Sequence, residues 1–299
     1  MPFLLLTIDG GGVRGAFASA IIAHIENDLG HSITQHVQAI AGTSTGAIIA
    51  SCLSKNFSGS NIVDFYLKSC SHIFQRKLKF TPKVIEKALH SPYDNLRLKA
   101  ILRQILGKDR LSTLNIPLVI PSTNIQNGSS CIFTSFADNK DISISDAVMA
   151  SCSAPTFFDP IVLNKKLLAD GGLYANNPGI IAIAQLSKHY SIPFNDFKIL
   201  SLGTGHFTNC YDLETKNWGL VSGWKVRTLA DFIASVQSQT TYETLKTLTH
   251  SNNLLRVNFL KETLIAPDDF DKIEQLVEIA HSVYKDNKDA ILSFILGDN

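Results

Sequence analysis

A serine and an aspartate lie far apart in this 299-residue chain, each in sequence surroundings that suit a reacting group. Ser44 is the centre of Gly42-Thr43-Ser44-Thr45-Gly46, which has the G-x-S-x-G spacing of a nucleophile elbow. Asp170 opens the stretch Asp170-Gly171-Gly172, a glycine loop that carries a carboxylate. A serine nucleophile and a group that accepts its proton are two of the parts that acyl transfer requires.

A glycine-rich stretch follows the first apolar run of the chain and supplies unshielded backbone N–H groups. Its members are Gly10, Gly11, Gly12, Val13, Arg14 and Gly15. Such N–H groups can stabilise the oxyanion of a tetrahedral intermediate, and loss of one donor typically lowers the rate about 10²–10³-fold. Arg14 adds a positive charge nearby. We therefore predict that residues 10–15 form an oxyanion hole.

The same stretch has a second interpretation, because Gly10, Gly12 and Gly15 also satisfy the G-x-G-x-x-G pattern of dinucleotide-binding proteins. That pattern requires an acidic residue roughly 20 positions later, at the end of the second strand. Here the second predicted strand ends in Gly-Thr-Ser, and the nearest acids, Glu26 and Asp28, belong to the intervening helix. No G-K-[ST] sequence closes the loop as in a P-loop. The oxyanion interpretation is therefore favoured.

The identity of the base stays open on spacing alone. Serine hydrolases commonly use a histidine with an acid behind it. The order serine, acid, histidine would allow His206, His250 or His281, of which only His206 follows a glycine-rich loop. Alternatively, Asp170 takes the serine proton directly, provided that its site limits solvation and raises the basicity of the carboxylate.

Apolar runs and helical spacing predict alternating strands and helices. We expect strands over 3–8, 37–41, 117–125, 131–136, 167–169, 198–202 and 254–259. We expect helices over 15–29, 47–53, 62–73, 84–89, 96–106, 144–151, 178–186, 226–248 and 270–296, with Asn177 as the N-cap and Pro178 as the first residue of the seventh. This alternation predicts an α/β fold with three layers, α/β/α, around a mostly parallel sheet. Neither a repeat nor a linker divides the chain, so we predict one domain over 1–299.

These elements also explain why Ser44 has its neighbours. A strand that ends near Ala41 and a helix that begins just after Ser44 must be joined by a sharp turn. Glycines at 42 and 46 let the two backbones approach closely there, as Gly171 and Gly172 do beside Asp170. The helix N-terminus also favours negative charge that develops on the serine oxygen.

The segment over 55–105 is rich in aromatic residues, namely Phe57, Phe65, Tyr66, Phe74 and Phe80. One interpretation places these rings in the core. The other makes part of the segment a cap, or lid, that admits a lipid chain.

Composition limits the remaining possibilities. The net charge of +1 offers no general field for nucleic acid or anionic lipid, so we expect no nucleic-acid partner and only local, largely apolar contact with membranes. Five scattered cysteines without a C-x-x-C pair indicate free thiols in a reducing compartment and no metal cluster. The first apolar run is the expected first strand rather than a signal peptide, and no run approaches the ~18–20 apolar residues of a spanning helix. We expect a cytoplasmic protein with peripheral membrane contact, and leave open signal-independent secretion.

The combined motifs resemble those of the patatin-like phospholipases. The resemblance rests on Asp9 to Gly15, on the elbow, and on three further stretches: Ala150-Ser151-Cys152-Ser153-Ala154-Pro155-Thr156-Phe157-Phe158, Asp170-Gly171-Gly172 with Asn176-Asn177-Pro178, and 199–205. The similarity covers essentially the whole chain and is looser over 218–296. Relatives often have a small residue such as alanine at the position of Cys152, which we expect to pack.

This resemblance implies a Ser–Asp dyad without a catalytic histidine, with Ser44 as nucleophile, Asp170 as general base and residues 10–15 as oxyanion hole. It implies hydrolysis of fatty acyl esters of phospholipids or lysophospholipids at a membrane surface, with no calcium and no cofactor in the chemistry. Two alternatives stay open. One is a storage or binding protein with incidental esterase activity, and the other is an effector phospholipase activated by a cyclic nucleotide or a host factor. Any activator is unknown at this point.

Overall fold

The computed structural model describes residues 2–76, 91–211, 214–219 and 222–297, apart from the side chains at 226, 227 and 251. The helix expected over 84–89, and the ring of Phe80, lie outside the described residues. No helix in the described ranges combines the length and the apolar character that crossing a bilayer requires.

The described strands form one large mixed sheet and one small two-stranded sheet. The eight strands of the large sheet are β1 Phe3–Ile8, β2 Ala39–Gly42, β3 Leu118–Asn124, β4 Ser129–Thr134, β5 Ile161–Leu163, β6 Lys166–Asp170, β7 Phe197–Leu202 and β9 Leu254–Val257. The small sheet pairs β8 His206–Phe207 with β10 Leu260–Lys261.

The central strands of the large sheet are parallel, in the order β3-β2-β1-β7-β9. Ile8 pairs with both Gly42 and Leu202, so β1, β2 and β7 end side by side. The loops that follow these strands therefore meet at one edge of the sheet. This is where parallel α/β sheets bind their ligands.

The other side of the sheet is antiparallel. β3 pairs in opposite direction with β4 and with β6, and β5 extends β6. Ala41 of β2 pairs with Val119, whereas Asp170 at the end of β6 pairs with Ser122, three residues further along β3. Strand β6 thus runs back towards the carboxyl end of β2 and delivers Asp170 there.

Helices cover both faces of the sheet. They are α1 Gly15–Leu29, α2 Thr45–Ser54, α3 Gly59–Ile73, α4 Asn95–Leu106, α5 Ile144–Ser151, α6 Gly179–Tyr190, α7 Val226–Leu248 and α8 Ile273–Leu296. Alternate residues of β1 point to opposite faces. Leu4, Leu6 and Ile8 belong to the larger core with α1 to α5 and α8, and Leu5 belongs to a smaller core with α6 and Leu245 of α7. The expected three-layer α/β/α fold with a mostly parallel sheet is confirmed.

Most element bounds agree with the sequence predictions within two residues, and the differences have local causes. Helix α6 extends to Tyr190, four residues past its predicted end, where Ser191 adopts a left-handed conformation. It begins at Gly179, and the Asn177 side chain still accepts the Gly179 N–H at 2.9 Å, as a cap does. Strand β2 begins at Ala39, two residues later than predicted. Strand β5, of three residues, was not predicted, because a run that short carries no periodicity.

Candidate active site

Ser44 occupies the sharp turn between β2 and α2, immediately before the first residue of the helix. Its backbone has φ 54° and ψ −119°, in the left-handed half of the conformational map that side chains rarely adopt. A Cβ at Gly42 would overlap the carbonyl of Gly46, and a Cβ at Gly46 would overlap the carbonyl of Ile8. The strain and the close approach together produce the elbow that the sequence predicts.

Asp170 lies at the end of β6 and is almost completely buried. Its Oδ1 accepts the Gly172 N–H at 2.6 Å, and its main-chain carbonyl accepts the Thr123 hydroxyl at 2.8 Å. Burial raises the pKa of the Asp170 carboxyl to about 6, while hydrogen bonds from the Ser44 hydroxyl and the Gly172 N–H lower it in part. The structure therefore brings the serine hydroxyl to a carboxylate of raised basicity, although 125 residues separate the two in sequence.

The glycine loop borders the same cavity as this pair and contains two N–H groups with no protein acceptor in the described ranges. The Gly10 carbonyl accepts the Thr204 hydroxyl at 2.5 Å and the Asn176 amide at 3.4 Å. Because the peptide is trans, the Gly11 N–H points away from that carbonyl. Within the described part of the chain, neither Gly11 nor Gly12 donates its N–H to a protein acceptor, and both residues line the cavity that contains Ser44. These two groups are therefore available to a ligand in the cavity.

The remaining residues of the predicted oxyanion hole have other roles. The N–H groups of Gly10, Val13 and Arg14 donate to the carbonyls of Asn176, Pro267 and Gly11, respectively. The Gly15 N–H caps the short helical turn before α1. Of the six predicted residues, four thus donate their N–H groups to backbone carbonyls, and within the described ranges only Gly11 and Gly12 have no protein acceptor.

Arg14 lies at the cavity, near the loop as expected, but its positive charge is paired. Its guanidinium makes a two-pronged ion pair with the Asp231 carboxylate of α7, at 2.7 and 2.9 Å, and also donates to the Ile265 carbonyl at 3.0 Å. Both side chains are buried. The charge of Arg14 is therefore neutralised, and the pair connects the glycine loop to α7.

Ser44, Asp170 and the two glycines share one cavity of about 330 Å³, within the size range of ligand sites. Its walls are mainly apolar and come from α2, α3, α4, α7 and the loop after α5: Ile48, Phe65, Tyr66, Cys70, Ile73, Phe74, Leu98, Phe157, Phe158, Leu229 and Ile233. The described part of the aromatic segment packs with the core, as the first interpretation expects. The second, a cap that admits a lipid chain, stays a prediction. Phe57, Phe65, Tyr66 and Phe74 pack in or against the core, and the last three also line the cavity.

No histidine lines the cavity among the residues described. His206 lies on β8, borders a separate cavity along α7, and has its Nδ1 3.5 Å from the Ser235 hydroxyl. His281 lies on α8 beside His24, with ring centroids 5.2 Å apart. These positions support Asp170, rather than a histidine, as the group that faces the serine.

Cys152 packs beside the nucleophile. Its thiol is buried, lines the cavity and lies within hydrogen-bonding reach of the Ser44 hydroxyl. Burial raises the pKa of this thiol, so that it stays protonated at neutral pH. In the described ranges, no three His, Cys, Asp or Glu side chains are arranged to hold a metal ion.

Three supporting residues were not singled out from the sequence. Thr204 and Asn176 orient the Gly10–Gly11 peptide, and the Asn176 amide also donates to Ser238 of α7 at 2.8 Å. Asp231 neutralises Arg14. Thr204 and Asn176 lie within the resembling stretches and could have been inferred from them, whereas Asp231 lies 217 residues from its partner and has no local signal.

Comparison with known proteins identifies a family and several relatives of this chain. The patatin-like phospholipase family model matches residues 6–183, more than half of the chain. Patatin-like protein 1 of Arabidopsis thaliana is 30% identical over 262 residues, covering 73% of this chain and 63% of the relative. A cGAMP-activated phospholipase of Vibrio cholerae is 29% identical over 225 residues, covering 67% of this chain and 63% of the relative. The chain thus spans less than two thirds of the length of these relatives.

Among solved structures, human GIVD cytosolic phospholipase A2 has a similar fold. It matches with a TM-score of 0.50 and 9% identity, covering 98% of this chain and 60% of that one. The family match extends from β1 through α6 and so includes the elbow, the glycine loop and the Asp170 loop. The chain belongs to the patatin-like phospholipase family.

Proposed function

We propose that this chain is a lipid acyl hydrolase of the phospholipase A or lysophospholipase type, with Ser44 as nucleophile and Asp170 as general base. The observation that carries the proposal is that Ser44 and the buried Asp170 carboxyl line the same cavity, close enough for the Ser44 hydroxyl to lower in part the pKa of Asp170, which burial raises to about 6. A carboxylate with this pKa is ionised at neutral pH and is more basic than an exposed one. It can therefore take up the serine proton during attack.

In the first half of the reaction, the Ser44 oxygen attacks the ester carbonyl carbon while its proton passes to Asp170. The carbonyl oxygen becomes an oxyanion, which the N–H groups of Gly11 and Gly12 stabilise. When the tetrahedral intermediate collapses, the proton on Asp170 passes to the departing alcohol oxygen. The fatty acyl group stays on Ser44 as an ester.

In the second half, Asp170 accepts a proton from a water molecule that attacks the acyl ester. The same N–H groups stabilise the second oxyanion, and the proton on Asp170 returns to the Ser44 oxygen as the fatty acid leaves. Every proton thus moves through one carboxylate. Each role is filled by a residue of the chain, and we propose that catalysis does not depend on calcium.

The cavity supports a fatty acyl substrate. Aromatic and aliphatic side chains form its walls, and an acyl chain that enters would replace contact with water by apolar contact. The same walls offer few partners to a charged headgroup. We propose that the acyl chain occupies the cavity and that the phospholipid or lysophospholipid headgroup stays near its opening.

The test is fatty acid release from mixed phospholipid vesicles in the presence of excess calcium chelator, comparing the wild type with Ser44→Ala. We expect release by the wild type alone, with thermal unfolding nearly unchanged in the variant, since removing the hydroxyl leaves the elbow backbone as it is. Release by Ser44→Ala at the wild-type rate would refute the proposed nucleophile. The Asp170→Asn variant should be as inactive as Ser44→Ala. If Asp170→Asn kept full activity and His206→Ala lost it, a catalytic triad with His206 would replace the proposed dyad.

The same assay separates the alternatives. One relative is by name a cGAMP-activated phospholipase, so the assay is repeated with cGAMP added. Release that requires cGAMP would indicate an activated effector phospholipase. Lipid binding without release under all these conditions would indicate a storage or binding protein.

A further inference from the structure

Two exposed apolar side chains stand at the opening of the cavity. Leu173, in the turn after Asp170, and Ile233, on α7, both line the cavity. Their exposed fractions are nevertheless 47% and 50%. Side chains that line a cavity and also face solvent mark its mouth, so a ligand that enters must pass them.

An aromatic cluster is attached to α7 beside Ile233, through Phe232. Phe232, next to Ile233 on α7, contacts Tyr211 with ring centroids 5.4 Å apart. The Tyr211 ring lies 5.7 Å from Trp218 and 5.5 Å from Trp224, and the two tryptophans are 5.1 Å apart. The Tyr211 hydroxyl donates to the Trp224 carbonyl at 2.9 Å. The cluster is thus held together, yet the tryptophans remain 45% and 38% exposed.

Charged residues flank the two tryptophans. Lys216 lies two residues before Trp218 and Lys225 directly follows Trp224, and both lysines are exposed. Ammonium groups beside tryptophan rings match the headgroup region of an anionic bilayer, where tryptophan is also enriched. A site for a second protein would instead be depleted of lysine at its centre.

We propose that Leu173, Trp218, Trp224 and Ile233, here named the rim surface, dock on a lipid bilayer with the cavity mouth against the membrane. The proposal rests on the proposed function for one point, namely that the substrate resides in the bilayer. Docking in this orientation gives an acyl chain an apolar path from the membrane, past Leu173 and Ile233, to Ser44. It also places tryptophan rings and lysines at the depth that each prefers.

The chain offers a direct probe, because Trp218 and Trp224 are its only two tryptophans. Intrinsic fluorescence of the Ser44→Ala variant, which avoids hydrolysis, is recorded with vesicles of phosphatidylcholine and phosphatidylglycerol in equal amounts. We expect a blue shift of the emission and quenching by lipids brominated on their acyl chains. Binding measured by co-sedimentation without either change would overturn the proposal, since another face would then contact the membrane. Absence of binding would overturn it as well.

Two substitution pairs test the surface independently of the probe. The double variant Trp218→Ser, Trp224→Ser should reach half-maximal binding at a lipid concentration roughly tenfold higher than the wild type. Lys216→Gln with Lys225→Gln keeps the cluster intact and should weaken binding to the anionic vesicles by roughly tenfold, but not to phosphatidylcholine alone. Val162→Ser is the matched control. This valine is exposed on the edge strand β5, does not line the cavity, and should leave binding unchanged.

Hydrolysis of a soluble short-chain ester, p-nitrophenyl butyrate, distinguishes the two proposals. We expect the tryptophan double variant and the lysine double variant to hydrolyse this ester at the wild-type rate and to lose activity on the anionic vesicles. If the wild type cleaves neither the ester nor vesicle lipids, with or without cGAMP, the proposed function fails, and the fluorescence result still decides the surface. Unchanged vesicle binding in both pairs would overturn the membrane proposal. A dimer in solution that the tryptophan pair dissociates, with vesicle binding unchanged, would identify a second copy as the occupant.

Discussion

The raised pKa of Asp170 predicts that this carboxylate destabilises the folded protein at neutral pH. In the unfolded chain its pKa returns to the ordinary value of 3.8, compared with about 6 in the fold. A pKa difference of about 2 corresponds to about 3 kcal/mol. Replacing Asp170 by Asn removes the buried charge and retains an oxygen that can accept the Gly172 N–H.

The sign and the pH window follow from the two pKa values. Between pH 4 and pH 6 the folded state binds more protons at Asp170 than the unfolded state does, so stability falls as pH rises through this window. The destabilisation by Asp170 reaches its full value above pH 7 and is only about 0.5 kcal/mol at pH 4. Asp170→Asn should therefore unfold at a temperature higher by up to roughly 5 °C at pH 7.5 and nearly equal at pH 4.

The assay is thermal unfolding of wild type and Asp170→Asn across this pH range, together with kcat/KM of the wild type on a soluble ester. We expect the acid limb of kcat/KM near pH 6, and loss of activity in the variant. Asp9→Asn is the contrasting control, because Asp9 is buried in an ion pair with Arg256, and its replacement should lower stability. An acid limb near pH 4, with no stabilisation of Asp170→Asn at pH 7.5, would refute the reasoning.

Three further predictions concern the surroundings of the dyad. Gly12→Ala should abolish activity and lower the unfolding temperature, because Gly12 has φ +61° and a Cβ would overlap the Pro267 carbonyl; activity equal to wild type would contradict this. Asp231→Asn leaves the Arg14 guanidinium buried without its counter-charge, so the free energy of unfolding measured in urea should fall by about 3 kcal/mol. We also expect kcat to fall, because the ion pair no longer connects the glycine loop to α7. Cys152→Ala should lower the free energy of unfolding by about 1 kcal/mol and leave ester hydrolysis unchanged, because the protonated thiol only packs there. A lower kcat without a loss of stability would contradict this and would assign Cys152 a positioning role.

Local patterns were sufficient for much of the fold. The apolar run of β1 and the helical spacing of α1 each predict their elements at the observed bounds. The same holds for α7, predicted over 226–248. These elements bury one stripe or one short run of side chains, and that requirement is written in the spacing of neighbouring residues. The Ser44 elbow, the Asp170 loop and the glycine loop were likewise recognisable as motifs, because each depends on glycines within a few positions.

The direction of β6 was not predictable in this way. Strand β6 is antiparallel to β3, and this direction brings Asp170 back towards the elbow. A three-residue strand, β5, precedes it and has too few residues for a pattern. Pairing direction depends on which strands compete for the same sheet position, so it follows from the assembled sheet.

The sequence by itself determined that a serine elbow, a glycine loop and an aspartate are present in an α/β chain, since each is a short-range steric or periodic feature. Only the tertiary structure decided how they cooperate. Among the described residues, it left the N–H groups of Gly11 and Gly12 without a protein acceptor by engaging their neighbours. It neutralised Arg14 with Asp231, and it raised the pKa of Asp170 by burial. Charge pairing and desolvation arise from residues distant in sequence, so they exist only once the chain has packed.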